Sequence, residues 1–104
     1  MSKNKVTTFA EQVRTLREEA QLSLREVAEK IGIDTSLLGK IERSERQPTK
    51  EQIKRVAKYF KLDEKDMLKE YLSDQIAYRI LEEDADIDTL KAAERKVQYL
   101  KTKQ

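Results

Sequence analysis

The sequence predicts an all-α fold, and three features carry that expectation. Capping-box pairs recur: Thr8 with Glu11, Ser23 with Glu26, and Thr49 with Gln52. In each, a hydroxyl side chain can accept from a free helix N–H while the Glu or Gln reaches back to the cap. Apolar residues follow each pair at helical spacing. No stretch alternates apolar and polar residues in the manner of a half-buried strand.

The elements follow in order. Residues 1–7 are polar and are expected to fray. Phe9, Val13 and Leu16 place helix 1 at about 9–20. Val27, Ala28 and Ile31 give helix 2, about 24–31, one apolar face, and Gly32 ends it where a left-handed turn is cheap only for Gly. Leu38 and Ile41 are the inner face of helix 3, about 35–43. The connection Ser44–Pro48 is polar and ends at the single proline. Ile53, Val56, Ala57 and Phe60 mark helix 4. Asp63 is a good N-cap for helix 5, with Asp66 favoured in its first turn by the helix dipole. Met67, Leu68, Tyr71, Leu72, Ile76 and Ile80 carry helix 5 to about 81, a stripe dense enough to imply burial on more than one side. The acidic run 82–86 ends it, and Asp86 caps a last helix at about 87–101.

Composition narrows the chemistry. The 104 residues suit one domain with an extension, and they include no Cys, His or Trp. That removes Cys/His metal sites, thiol nucleophiles, imidazole acid–base catalysis and disulfides. With two glycines there is no Gly-rich phosphate cradle. An enzyme therefore fails on residue inventory, and no cofactor or metal is called for. Paired acids such as Glu82/Glu83 read as helix-end solvation and capping. No apolar run approaches the ~18 residues of a membrane span and the N-terminus has no apolar signal core, so a cytoplasmic protein without a membrane partner is expected. Net charge is +2, but residues 1–68 hold 15 basic and 12 acidic residues while 69–104 hold 7 and 8. The positive excess lies with the first part, and it is small enough that any affinity for nucleic acid must come from charge placement.

Leu22 to Arg43 concentrates the functional signal. Two short helices meet at Gly32, Ile33 plugs inward, and Ala28 is small enough for a close crossing. The outer face of the second helix then carries Thr35, Ser36, Leu37, Lys40 and Arg43. That is the layout of a helix-turn-helix whose second helix enters the major groove of double-stranded DNA.

Residues 8–68 resemble the lambda-repressor-like helix-turn-helix family of phage repressor and Cro proteins. The resemblance rests on Phe9, Val13, Arg14, Leu16 and Arg17; Leu22–Ser23; Glu26 through Ile33; Leu38; Ile41–Glu42–Arg43; and Pro48–Thr49. It implies a five-helix DNA-binding domain at 8–68, leaving 69–104 as a helical extension for dimerisation. It also implies base contacts from Thr35, Ser36 and Lys40, with Leu37 against a thymine methyl. Lysine suits guanine O6/N7, whereas hydroxyls discriminate weakly. The same resemblance puts Arg43 and Arg46 on phosphates, with Lys50 close by at the start of helix 4 and Ser23 offering an amide and a hydroxyl. Arg17 and Glu42 resemble the family's structural ion pair between helices 1 and 3. Two departures stand out. Leu24 replaces a glutamine that braces the phosphate in many relatives, with Arg25 as a compensating backbone contact, and Ser44 stands where glycine often ends helix 3. Gly39, inside helix 3, lets that helix approach helix 2 or the DNA backbone closely.

In the extension, Leu90/Val97 and Ala93/Leu100 are each seven apart, a short coiled-coil-like seam that needs a surface to dock on. Tyr71, Ile76, Leu90, Val97 and Leu100 are the expected dimer interface, giving a homodimer on a palindromic operator. Two alternatives remain. One is an antitoxin-like or partner-binding regulator that engages another protein through residues 84–104. The other is a restriction-modification controller protein. The chain has no room for a separate small-molecule sensor.

Overall fold

The computed structural model describes residues 6–104. Its helices are α1 (Phe9–Glu19), α2 (Leu24–Ile31), α3 (Thr35–Glu42), α4 (Lys50–Tyr59), α5 (Glu64–Glu82) and α6 (Ile87–Thr102). No strand occurs among the described residues.

Local chemistry sets the helix starts. All three capping boxes form: the Thr8, Ser23 and Thr49 hydroxyls accept from the amides of Glu11, Glu26 and Gln52 at 3.2, 3.0 and 3.1 Å. Their own amides donate back to those side chains at 2.9, 2.8 and 2.9 Å. Asp63 accepts from the Asp66 amide at 3.0 Å, and Asp86 from the Thr89 amide at 3.2 Å. Each such cap stabilises its helix by about 1 kcal/mol. The start of α3 is different. Its N-cap is Asp34, whose carboxylate makes no side-chain cap bond, and Thr35 is the first helical residue.

Helix ends follow one pattern. The amides of Leu22, Ile33, Glu45, Leu62 and Ala85 bond back to the carbonyls of Arg17, Ala28, Lys40, Ala57 and Ile80 at 2.8–3.0 Å, the wide loop that closes a left-handed helix end. The left-handed residues are Gln21, Gly32, Ser44, Lys61 and Asp84, with φ of 57, 72, 62, 59 and 52°. A single glycine thus serves five such turns.

Phe9, Val13, Val27, Ala28, Ile31, Leu38, Ile41, Ile53, Val56, Ala57 and Met67 form one buried cluster drawn from α1 to α5. Leu38, Ile53, Met67, Val13 and Val27 are the large side chains fully withdrawn from water, each worth about 2 kcal/mol of apolar burial. Ala28, 1% exposed, sits where α2 packs on α3. Gly39 is buried, and a Cβ there would stand 3.7 Å from the Leu24 side chain of α2. That is ordinary van der Waals contact, so the approach of α2 does not require a glycine here, contrary to the expectation; the tighter neighbour of that Cβ is the Arg43 guanidinium, at 3.1 Å. Arg17 and Glu42 form a two-pronged ion pair between α1 and α3, 2.8 and 3.0 Å, and Arg17 also donates to the Leu22 carbonyl at 3.0 Å. The Phe9 amide donates to the Asp74 carboxylate at 2.7 Å, and the Phe9 ring meets Tyr71 edge-to-face at 5.9 Å.

The chain divides into two compact units, Met1–Asp74 and Gln75–Gln104, with the boundary inside α5. In α5 only Met67 is buried, and Leu72, Ile76 and Leu81 are 45, 53 and 76% exposed. The expected burial of this helix on more than one side does not occur within the protomer, because α6 buries none of its residues either.

Candidate nucleic-acid interface

The turn at Gly32 presents α3. Its φ of 72° and ψ of 39° are left-handed, so the chain reverses within two residues and α3 starts at Thr35. Arg55 of α4 holds this corner by donating to the Ile31 carbonyl at 3.2 Å while its Nε pairs with Glu51 at 3.3 Å. A cation over the last carbonyls of α2 also suits the helix dipole. Sequence reasoning missed Arg55, because its partner lies 24 residues away and no local pattern marks it.

Leu38 and Ile41 anchor α3 in the core, so the opposite face is set by helical geometry. Thr35, Ser36, Lys40 and Arg43 are exposed together on it. Leu37 is half-buried and packs against the edge of the core, leaving only part of its side chain to solvent. Arg46 and Lys50 are exposed on the segment that leaves α3. The expected base-contact and phosphate-contact residues of this segment, Leu37 excepted, are therefore exposed.

Three of the expected phosphate-contact residues already carry contacts within the protein. Ser23's amide is already donated to Glu26, which leaves its hydroxyl proton as the group for an external acceptor. That amide bond is the first cause holding the Glu26 carboxyl below its ordinary value of 4.5. Arg25 points into solvent and pairs with Glu29 one turn on, at 3.3 Å. Arg43 is engaged by Glu45, Nε to Oε2 at 2.9 Å and Nη2 to Oε1 at 3.4 Å. These bonds raise the Arg43 guanidinium above its ordinary value and lower the Glu45 carboxyl below its own. The Arg17 guanidinium is likewise raised, chiefly by its bond to Glu42, which makes that pair a fixed strut beneath α3.

Among the expected interface residues of the C-terminal part, Ile76, Val97 and Leu100 are 53, 51 and 57% exposed. Leu90 is half-buried, and Tyr71 is half-buried against Phe9 and the core.

Two helices crossing at a left-handed corner, the second with a polar outer face and flanking cations, make a reading head of the size a DNA major groove admits. Residues 8–69 match the helix-turn-helix domain family. The chain belongs to that family. Solved helix-turn-helix structures give the same result. The restriction-modification controller protein C.AhdI from Aeromonas hydrophila is 27% identical over 57% of this chain and 89% of its own, with a TM-score of 0.53. SinR, described as the master regulator for biofilm formation and solved in complex with DNA, is 27% identical over 59% of this chain and 98% of its own, TM-score 0.53. A SinR/SinI protein complex matches over 91% of this chain and 99% of the other at 19% identity and TM-score 0.54, so the likeness in fold reaches into the C-terminal helices. No curated protein sequence matches the chain. Among the described residues the chain is helical without strands, in keeping with that family. None of its described helices is long and apolar enough to cross a membrane.

Proposed function

We propose that this helix-turn-helix protein is a sequence-specific transcription regulator. It binds a palindromic operator in double-stranded DNA as a homodimer, with α3 in the major groove. The observation that carries the reading is the two-sided α3. Leu38 and Ile41 lock one face while Thr35, Ser36 and Lys40 stand exposed on the other, with Arg43, Arg46 and Lys50 beside them. Lys40 donates to guanine O6/N7, Thr35 and Ser36 contact base edges, and Leu37 offers its exposed part to a thymine methyl. Arg43, Arg46, Lys50 and the Ser23 hydroxyl take phosphates, and Arg25 does so when released from Glu29. The domain is residues 8–68, and the extension 69–104 pairs two copies through the exposed Ile76, Val97 and Leu100 and the half-buried Leu90 and Tyr71. It acts in the cytoplasm.

Selection from random duplex DNA tests this. The winners should carry two half-sites about 34 Å, one helical turn, apart. Lys40→Ala should weaken binding and relax base preference by about 1–3 kcal/mol at one position, whereas Arg43→Ala should weaken all sequences alike. If the dimer neutralises about six phosphates, log affinity should fall with log salt at a slope near −5. Unchanged binding by both variants removes α3 from the interface.

A second reading is supported by the same open apolar residues together with the SinR/SinI likeness: the C-terminal helices, residues 84–104 above all, engage a different protein. A purely homodimeric species in solution that ignores other proteins argues against it. The C.AhdI likeness likewise supports a restriction-modification controller role, which the neighbouring genes would decide.

A further inference from the structure

We infer that Glu45 is a positioning residue that competes with DNA phosphate for Arg43 and so holds down affinity for any duplex, whatever its sequence. The inference rests on the DNA-binding reading and adds to it a brake built into the same surface.

The placement is a consequence of the turn after α3. Ser44 adopts a left-handed backbone, φ 62°, and the Glu45 amide then bonds to the Lys40 carbonyl at 2.8 Å. That bond ties residue 45 to the last turn of α3 and returns its side chain to the helix it has just left. The carboxylate meets Arg43 through both oxygens, 2.9 and 3.4 Å, although both side chains are more than half exposed. Arg43 lies back along the helix: its Nη1 is 3.1 Å from where a Cβ on Gly39 would stand. A Cβ at Gly39 would make Arg43 shift by a few tenths of an ångström. Arg43 first and Lys40 to a smaller extent lower the Glu45 carboxyl below its ordinary value. A negative charge therefore sits directly against one of the cations assigned to DNA.

Two consequences follow from elementary electrostatics. Arg43 must exchange a carboxylate for a phosphate, which returns somewhat less than an unpaired guanidinium would gain. The displaced Glu45 carboxylate then stays within a Debye length of the DNA backbone and repels it. Neither effect depends on base sequence, so the brake acts on backbone affinity and leaves discrimination to Thr35, Ser36 and Lys40.

The test is equilibrium binding of fluorescent duplex, one of mixed sequence and one selected as operator, to the wild-type protein and to Glu45→Gln. Glu18→Gln is the control: it removes one negative charge from an exposed pair with Arg14, on α1. The inference expects Glu45→Gln to bind both duplexes at least about threefold more tightly and Glu18→Gln to change less than about twofold. In an Arg43→Ala background the Glu45→Gln gain should fall to the part that relieved repulsion alone supplies, a dependence that a merely structural role for Glu45 would not produce. Equal behaviour of Glu45→Gln and Glu18→Gln overturns the inference and leaves the DNA reading intact, as does a full gain without Arg43. No binding by any variant removes both.

Discussion

The residues up to Asp74 and those from Gln75 onward handle apolar surface in opposite ways. In the first unit five helices contribute to one buried cluster, and Leu38, Ile53 and Val13 are withdrawn from water within the protomer. In the second, Ile76, Leu81, Ile87, Val97 and Leu100 remain more than half exposed, and α6 buries nothing. The contrast teaches that helical periodicity and packing are separate facts. Both regions have well-formed, capped helices, but only the first encloses its own core. The proposed pairing of two copies would give these exposed apolar residues the cover that their own chain does not.

The largest expected effect lies in the closed unit. Leu38→Ala should cost about 2–5 kcal/mol in urea unfolding, because a neighbourless cavity opens between α3 and the other helices. A loss under 1 kcal/mol would mean that the core is far looser than the burial implies. Next comes the strut. Arg17→Met leaves Glu42, 5% exposed in its side chain, charged and unpaired. It should cost about 3 kcal/mol, while replacing both partners with apolar residues should recover most of that. In the open unit the expected pattern is inverted. Val97→Asp combined with Leu100→Asp should weaken self-association roughly a hundredfold by sedimentation, from lost apolar burial, and leave the unfolding of the first unit where it was. A drop in monomer stability instead would show that these residues serve their own protomer. The smallest effect sharpens the picture at a turn. Lys61→Gly should stabilise by about 0.5–1 kcal/mol in thermal unfolding, since φ of 59° strains any residue with a Cβ.

Much of the fold was legible because its signals are local. Thr8, Ser23 and Thr49 announce their helices within four residues, and the expected helix limits fall within a residue or two of the observed ones. The outer face of α3 was legible for the same reason, since burying Leu38 and Ile41 dictates where Lys40 points. The contacts that sequence did not reveal are long-range or lack a residue signature. The bond from Arg55 to the Ile31 carbonyl spans 24 positions and that from Phe9 to Asp74 spans 65. The left-handed turns at Gln21 and Lys61 carry no glycine to mark them. Burial of α5 was overestimated because an apolar stripe looks the same whether its own chain or another molecule covers it. The Arg43–Glu45 contact was not read from the sequence, because it depends on the left-handed turn at Ser44 that brings the carboxylate back.

The bond from the Phe9 amide to Asp74 has a consequence for where the first unit can be cut. The opening N–H of α1 finds its acceptor on α5, six residues beyond the 8–68 segment that the family resemblance marks out, and Phe9 leans on Tyr71 in the same stretch. A fragment trimmed at residue 68 would lose both supports, so its beginning, not its new end, should be the first part to unravel. A fragment that runs on through residue 74 keeps both contacts and should unfold at a higher temperature than one that ends at 68.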